Sequence, residues 1–137
     1  MDRLSSIGLL ASRIPISAIF LFSATSKIFA FAQTQSYMAG KGMHMTGLFL
    51  VLAILFEICG GLMVLLGYYP RIGALLLIFF LIPTTIVFHR DFSAAGQSVH
   101  FLKNMAILGG LIAILSVGGG EFSLSGRRIK LKNVPGY

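Results

Sequence analysis

The chain has 137 residues, of which 56% are hydrophobic and 11% charged, with a mean hydropathy of +0.90. That length fits one domain, the charged share is well below the roughly 25% of soluble domains, and a disordered chain would need the opposite balance. So few charges cannot wet so apolar a chain, which leaves an integral membrane protein; the net charge of +7 then reads as topology signalling and attraction to anionic headgroups, not nucleic-acid binding.

Four apolar runs are expected to span the membrane: about 7–31, 47–66, 72–88 and 101–117. At a rise of about 1.5 Å per residue each covers a hydrocarbon core of about 30 Å. Ala30-Phe31-Ala32 has the small-x-small form of a cleavage site, but Arg13 interrupts the apolar core that a signal peptide needs, so the first run is read as a membrane helix. Residues 32–46 are expected to be the longest loop, with Tyr37, Gly40, Lys41, Gly42 and His44. Gly67-Tyr68-Tyr69-Pro70-Arg71 reads as a tight turn, since Gly and Pro stop helices and Tyr suits the interface. Residues 89–100 form a second polar loop, and Gly118-Gly119-Gly120 ends the fourth run before a basic tail, 118–137. The fold class is therefore all-α, a single domain built as a four-helix transmembrane bundle.

Lys/Arg counting sets the orientation. Arg3, Arg71, Arg127, Arg128, Lys130 and Lys132, with Arg13 nearby, fall on one side; Lys41, Arg90 and Lys103, with Lys27 nearby, fall on the other. The richer side is expected to be cytoplasmic, with both termini.

The informative residues are the polar ones inside the apolar runs. Glu57 sits mid-way along the second run, where a carboxylate costs on the order of 3 kcal/mol and must be paired, hydrated or protonated. It reads either as a structural polar lock or as an ionisable site residue facing a cavity. Gly60, Gly61 and Val64 share its face and admit a neighbouring helix. Arg13, Ser17, Phe20, Ala24 and Lys27 fall on one face of the first run. Arg13 and Lys27 are some 21 Å apart along the axis, too far for one carboxylate to bridge. Each either snorkels or turns inward to a polar pocket. His89 closes the third run with Thr85 one turn before it, Pro83 is expected to kink that helix and free a carbonyl, and Lys103 and Asn104 open the fourth run. A Lys at a helix N-terminus opposes the macrodipole, so Lys103 is not there as a cap. Lys27, His89, Lys103 and Asn104 thus cluster at the outer ends of three helices and, with Glu57 deeper, form one polar funnel.

Other chemistry is poorly supplied. The one cysteine, Cys59, excludes an intrachain disulfide, a redox Cys pair and a cysteine metal cage. The three His are scattered without metal-ligand spacing, so no metal is expected.

These residues together resemble the DoxX family of small bacterial four-helix membrane proteins. The likeness runs along essentially the whole chain, through Phe-Ser-Ala-Thr-Ser-Lys-Ile (22–28), Tyr37-Met38, Phe-Glu-Ile-Cys-Gly-Gly (56–61), Leu-Leu-Gly-Tyr-Tyr-Pro-Arg (65–71), Phe88-His89, Phe-Leu-Lys-Asn-Met-Ala-Ile-Leu-Gly-Gly (101–110) and Gly-Gly-Gly-Glu-Phe-Ser-Leu (118–124). Relatives often carry Gly where this chain has Ala24 or Ser26. The resemblance implies a bundle in the bacterial cytoplasmic (inner) membrane and a shared polar pattern of Lys27, Glu57, His89, Lys103 and Asn104. It also implies a link to quinone-dependent oxidation and membrane oxidoreductase assemblies.

The candidate pocket residues are Glu57, Lys27, His89, Lys103, Asn104, Arg13 and Tyr37. Three functional readings stay open at this point. The first is a redox-linked subunit whose pocket binds a quinone or another apolar molecule, with electrons supplied by an oxidoreductase partner or a cofactor. The second is a non-enzymatic accessory that stabilises a partner or a second copy of the chain. The third is a small-solute or proton carrier with Glu57 as coupling acid.

Overall fold

A computed structural model describes residues 3–89 and 91–126. Arg90 and the basic cluster Arg127, Arg128, Lys130 and Lys132 lie outside the described residues, as does the rest of the tail from 127. The described residues are all-helical: α1 (Arg3–Phe29), α2 (Phe31–Gly40), α3 (Thr46–Leu66), α4 (Pro70–Phe88) and α5 (Gln97–Val117). Four of them, α1, α3, α4 and α5, are long and apolar enough to cross a membrane. The fold is the four-helix transmembrane bundle, with α3 packed against both α1 and α4, and α5 laid mainly on α4.

Two element boundaries correct the sequence reading. Residues 32–46 are not simply a loop, because Phe31–Gly40 is the separate helix α2. Ala32, Gln33, Gln35, Met38 and Ala39 are good helix formers, but the segment is too short and polar to span lipid. Gly42, at φ 80°, turns the chain after it: its N–H reaches Ala39 O (2.9 Å) and the Met43 N–H reaches Met38 O (3.3 Å). Helix α5 begins at Gln97, not at 101, so Lys103 lies beyond the first turn, where the macrodipole conflict is weak.

The turn after α3 follows from chain chemistry. Gly67 takes φ 66°, a left-handed conformation that costs glycine little. The Gly67 N–H donates to Val64 O (3.2 Å) and the Tyr68 N–H to Met63 O (3.0 Å), the paired bonds of a Schellman stop. Pro70 then starts α4, where a missing N–H costs nothing.

Glycines set the distance between α3 and α4. A Cβ on Gly60 would lie 2.7 Å from Leu77 Cγ and 2.9 Å from Gly73 O; one on Gly73 would lie 2.7 Å from Met63 Cβ. The two backbones therefore meet at Gly60 and Gly73. Beside this contact Phe20, Val64, Ala74, Leu77, Leu81, Leu111 and Ile114 form a buried apolar core. A second cluster, Ala24, Met38, Leu50 and Ile54, fills the end of the bundle that carries α2.

Candidate functional site

Helix α1 presents the expected face. Arg13, Ser17, Phe20 and Ala24 are all buried, and Lys27 follows on the same stripe. Two polar centres hang on it, one near each end of the bundle.

The first centre joins α1 to α3. Lys27 Nζ donates to Glu57 Oε1 (2.9 Å) and Oε2 (3.0 Å), and to Ser23 Oγ one turn back on α1. Glu57 is 1% exposed and the Lys27 side chain 22%. An ammonium has three protons, and here each has an acceptor. Glu57 is thus a compensated carboxylate, its charge cancelled within the bundle. Nζ also lies 5.4 Å from the centroid of the Phe80 ring on α4, close enough for a cation–π contact.

Beside this pair lies a cavity of about 440 Å³ between α2, α3 and α4, with Lys27 in its wall. Its remaining polar groups are Thr34, Tyr37, Thr84 and His89; the rest of the wall is aliphatic or aromatic, including Phe56, Phe80 and Phe88. Thr34 and Thr84 donate their hydroxyls to the carbonyls one turn back, Ala30 O and Phe80 O (both 2.8 Å). Pro83 also lines the cavity, together with Phe79, whose carbonyl the proline leaves without its helical donor.

Residues of α2 and the end of α4 cover one side of the cavity. Tyr37 stacks on Phe88 with ring centroids 5.5 Å apart. His89 Nδ1 pairs with Gln97 Oε1 at 2.8 Å, and its ring stacks on His100 at 5.2 Å. Asp91 accepts from the Ser93 hydroxyl (2.5 Å) and from its N–H (3.2 Å). These bonds, with a smaller attraction from Lys41, hold the Asp91 carboxyl below its ordinary value.

The expected funnel assembles in part. Lys27, Tyr37 and His89 share the cavity wall, and Glu57 sits behind Lys27. Asn104 turns elsewhere: its Nδ2 donates to the buried Thr85 Oγ1 (2.8 Å), whose own proton goes to Leu81 O (2.8 Å). That chain ties α5 to α4. Lys103 does not line the cavity; it is exposed on α5, because Asn104 rather than its neighbour faces α4.

Arg13 makes the second centre. It is 1% exposed and turned inward, not snorkelling. Its guanidinium donates to Leu65 O (3.3 Å), Phe122 O (3.1 Å) and Gly119 O. Leu65 O is one of the carbonyls that the end of α3 leaves unpaired. The cation therefore caps α3 at its negative end and pins segment 118–126 to the bundle. The two carbonyls in that segment were not legible from spacing.

Ser23, Phe80 and Gln97 were missed as neighbours of the candidate residues. Ser23 had a signal, since it lies one helical turn before Lys27. Phe80 and Gln97 had none, because each meets its partner through the fold.

The DoxX family model matches residues 8–90. The chain is 36% identical over 124 residues to the inner membrane protein YqjF of Escherichia coli, covering 90% of this chain and 94% of that one. It is 31% identical over 124 residues to the inner membrane protein YphA of the same organism, covering 87% and 89%. No solved structure matches it.

Proposed function

The chain belongs to the DoxX family of multi-pass inner membrane proteins, and from that premise we propose that it is a redox-linked membrane subunit whose cavity binds a quinone or a similar apolar molecule. The observation that carries the reading is Lys27, backed by Glu57, in the wall of a mostly apolar and aromatic cavity. Apolar walls with a few convergent polar groups are the usual form of a small-molecule site.

A planar ring seated there meets Phe80 and Phe88 as aromatic surfaces, with Tyr37 and His89 as hydrogen-bonding groups in the wall. A carbonyl that reaches Lys27 must displace an acceptor it already has. Ser23 is the cheaper one to release, because it is neutral and Glu57 is not. Reduction of a bound quinone to a quinol adds two electrons and two protons: Lys27 gives one proton to the ring oxygen it touches and is reprotonated through Glu57, and the second proton reaches the far ring oxygen from water. Electrons come from a partner or a cofactor, since the single cysteine offers no redox pair. With the Lys/Arg-richer end, that of Arg3, Arg13 and Arg71 and the basic tail, read as cytoplasmic, the cavity belongs to the outer half.

The test is a quinone titration of the purified protein in lipid nanodiscs, read from the quinone difference spectrum. Saturable binding that Lys27→Met weakens about tenfold or more, with helical content unchanged, supports the reading. Absence of any saturable shift overturns it.

The accessory reading has one observation in its favour. Helix α5 leaves Ala106, Gly109 and Ala113 exposed on one face, and nothing lies within 4 Å of a Cβ built on Gly109. Small residues at such spacing allow close helix approach in lipid. Isolation of the protein with a stoichiometric membrane partner, combined with no quinone binding, favours it. The carrier reading is weakened by the apolar core around Phe20, Val64 and Leu77, which lies between the Arg13 and Glu57 centres.

A further inference from the structure

The cavity is not equally enclosed on all sides. Towards water it is covered by the Tyr37–Phe88 stack and by His89 with its two partners. Towards lipid its rim is Phe49, Leu52, Phe79 and Val87, with exposures of 48%, 38%, 70% and 40%. These four belong to α3 and α4, the two helices whose backbones touch at Gly60 and Gly73. From that contact towards the α2 end the pair leaves a cleft with an entirely apolar, lipid-facing edge. Pro83 stands in its α4 wall.

We infer that the α3–α4 cleft is a lateral portal, through which a membrane-dissolved ligand with a neutral ring and a long apolar tail seats its ring beside Lys27 and leaves its tail among the acyl chains. The inference rests on the reading of the cavity as a ligand site and adds the ligand's form and route. The ring is neutral because Glu57 already cancels the Lys27 charge, so an anionic head would find no uncompensated cation at the inner wall. The tail follows from the rim. An apolar chain crossing Phe49, Leu52 and Phe79 stays in hydrocarbon throughout, whereas a compact water-soluble ligand gains nothing from a side that opens on lipid.

The experiment compares two probes in phosphatidylcholine nanodiscs: a tail-free benzoquinone and the same ring with a multi-isoprenoid tail. Affinities are expressed per mole fraction in the membrane, which removes simple partitioning. The tailed probe is expected to bind within about threefold of the tail-free one or more tightly. Ala53→Trp, at the cleft, is expected to weaken the tailed probe about tenfold and the tail-free ring by less than about threefold. Leu52→Trp, on the exposed rim, repeats the test with less disturbance of packing. Leu55→Trp, exposed and outside the cavity wall, is the control and should alter neither.

A tail-free ring that binds while the tailed probe is rejected overturns the portal and leaves the cavity reading standing. Equal responses of both probes to Ala53→Trp and Leu52→Trp do the same. Failure of both probes overturns portal and cavity together. Displacement of the tailed probe by phosphatidylglycerol, but not by further phosphatidylcholine, overturns the neutral-ring assignment in favour of an anionic lipid head.

Discussion

Lys27 on α1 and Glu57 on α3 form a two-pronged ion pair, with Nζ at 2.9 Å and 3.0 Å from the two carboxylate oxygens. The pair makes an acid tolerable in the apolar half of the bundle. It also fixes which way both side chains point, and so puts the Lys27 ammonium in the wall of a mostly apolar cavity. Stability and the proposed site therefore depend on the same contact.

Breaking that contact from one side leaves a charge without its partner. Glu57→Leu and Lys27→Met are each expected to destabilise the protein by about 3 kcal/mol, because the orphaned group must be neutralised or rehydrated. The double variant should recover to within about 1 kcal/mol of the parent, since no charge is then left in the core. Reversible unfolding in mixed detergent micelles measures all three. Additive losses in the double variant would show that the two residues are not coupled.

The extent to which this was readable from sequence depends on the kind of signal. The four spans were legible because hydropathy is local, and the Arg13–Lys27 face because helical geometry is regular. Glu57 stood out since an acid in a membrane span needs a reason. Helix α2 was obscured: its helix formers sit between longer apolar runs and end in Gly40-Lys41-Gly42, a sequence that reads as loop. Lys103 and Asn104 are adjacent, and sequence could not say which faces α4; the structure turns Asn104 to Thr85 and leaves Lys103 exposed. Arg13 was recognised as an inward candidate, but two of its acceptors are carbonyls more than a hundred positions away. Backbone carbonyls leave no residue-type signature.

Arg13 should be irreplaceable by lysine. Its planar fork reaches three carbonyls on two separate segments, and a single ammonium on a shorter stem cannot copy that geometry. Arg13→Lys is expected to cost about 1–3 kcal/mol, and Arg13→Met more, because buried carbonyls then lose their donors. Both should also free segment 118–126, which limited proteolysis reads independently of global unfolding. Unchanged cleavage there in Arg13→Met would argue against the clamp.

Asp91 gives the clearest pH expectation. Its carboxyl lies below the ordinary value chiefly through the Ser93 hydroxyl and N–H, with a smaller contribution from Lys41. A depressed folded-state value means that the contribution is present above the unfolded-state value and is lost as pH falls through the folded one. Ser93→Ala removes the hydroxyl bond but keeps the backbone one, so the Asp91 titration should move part of the way up. Carboxylate NMR of the labelled protein follows it directly; a midpoint that does not rise would contradict the assignment.

The glycines offer a contrast within a single residue type. At Gly60 a methyl group would sit 2.7 Å from Leu77 Cγ and 2.9 Å from Gly73 O, and the second of these is backbone and cannot rotate away. Gly60→Ala must therefore push α3 and α4 apart, at a cost of about 1–3 kcal/mol, the usual range for overpacking. At Gly109 a Cβ meets nothing within 4 Å. Gly109→Ala removes a helix-destabilising residue from α5 and should raise stability by about 0.5–1 kcal/mol. Thermal unfolding of both variants in one detergent compares them directly. The separation at Gly60 has a second consequence, because the cleft opens from that contact: Gly60→Ala should also change quinone affinity, while Gly109→Ala should not. A Gly109→Ala variant that unfolds early would place a neighbour against the open face of α5, and a Gly60→Ala variant as stable as its parent would mean that the two backbones do not meet there.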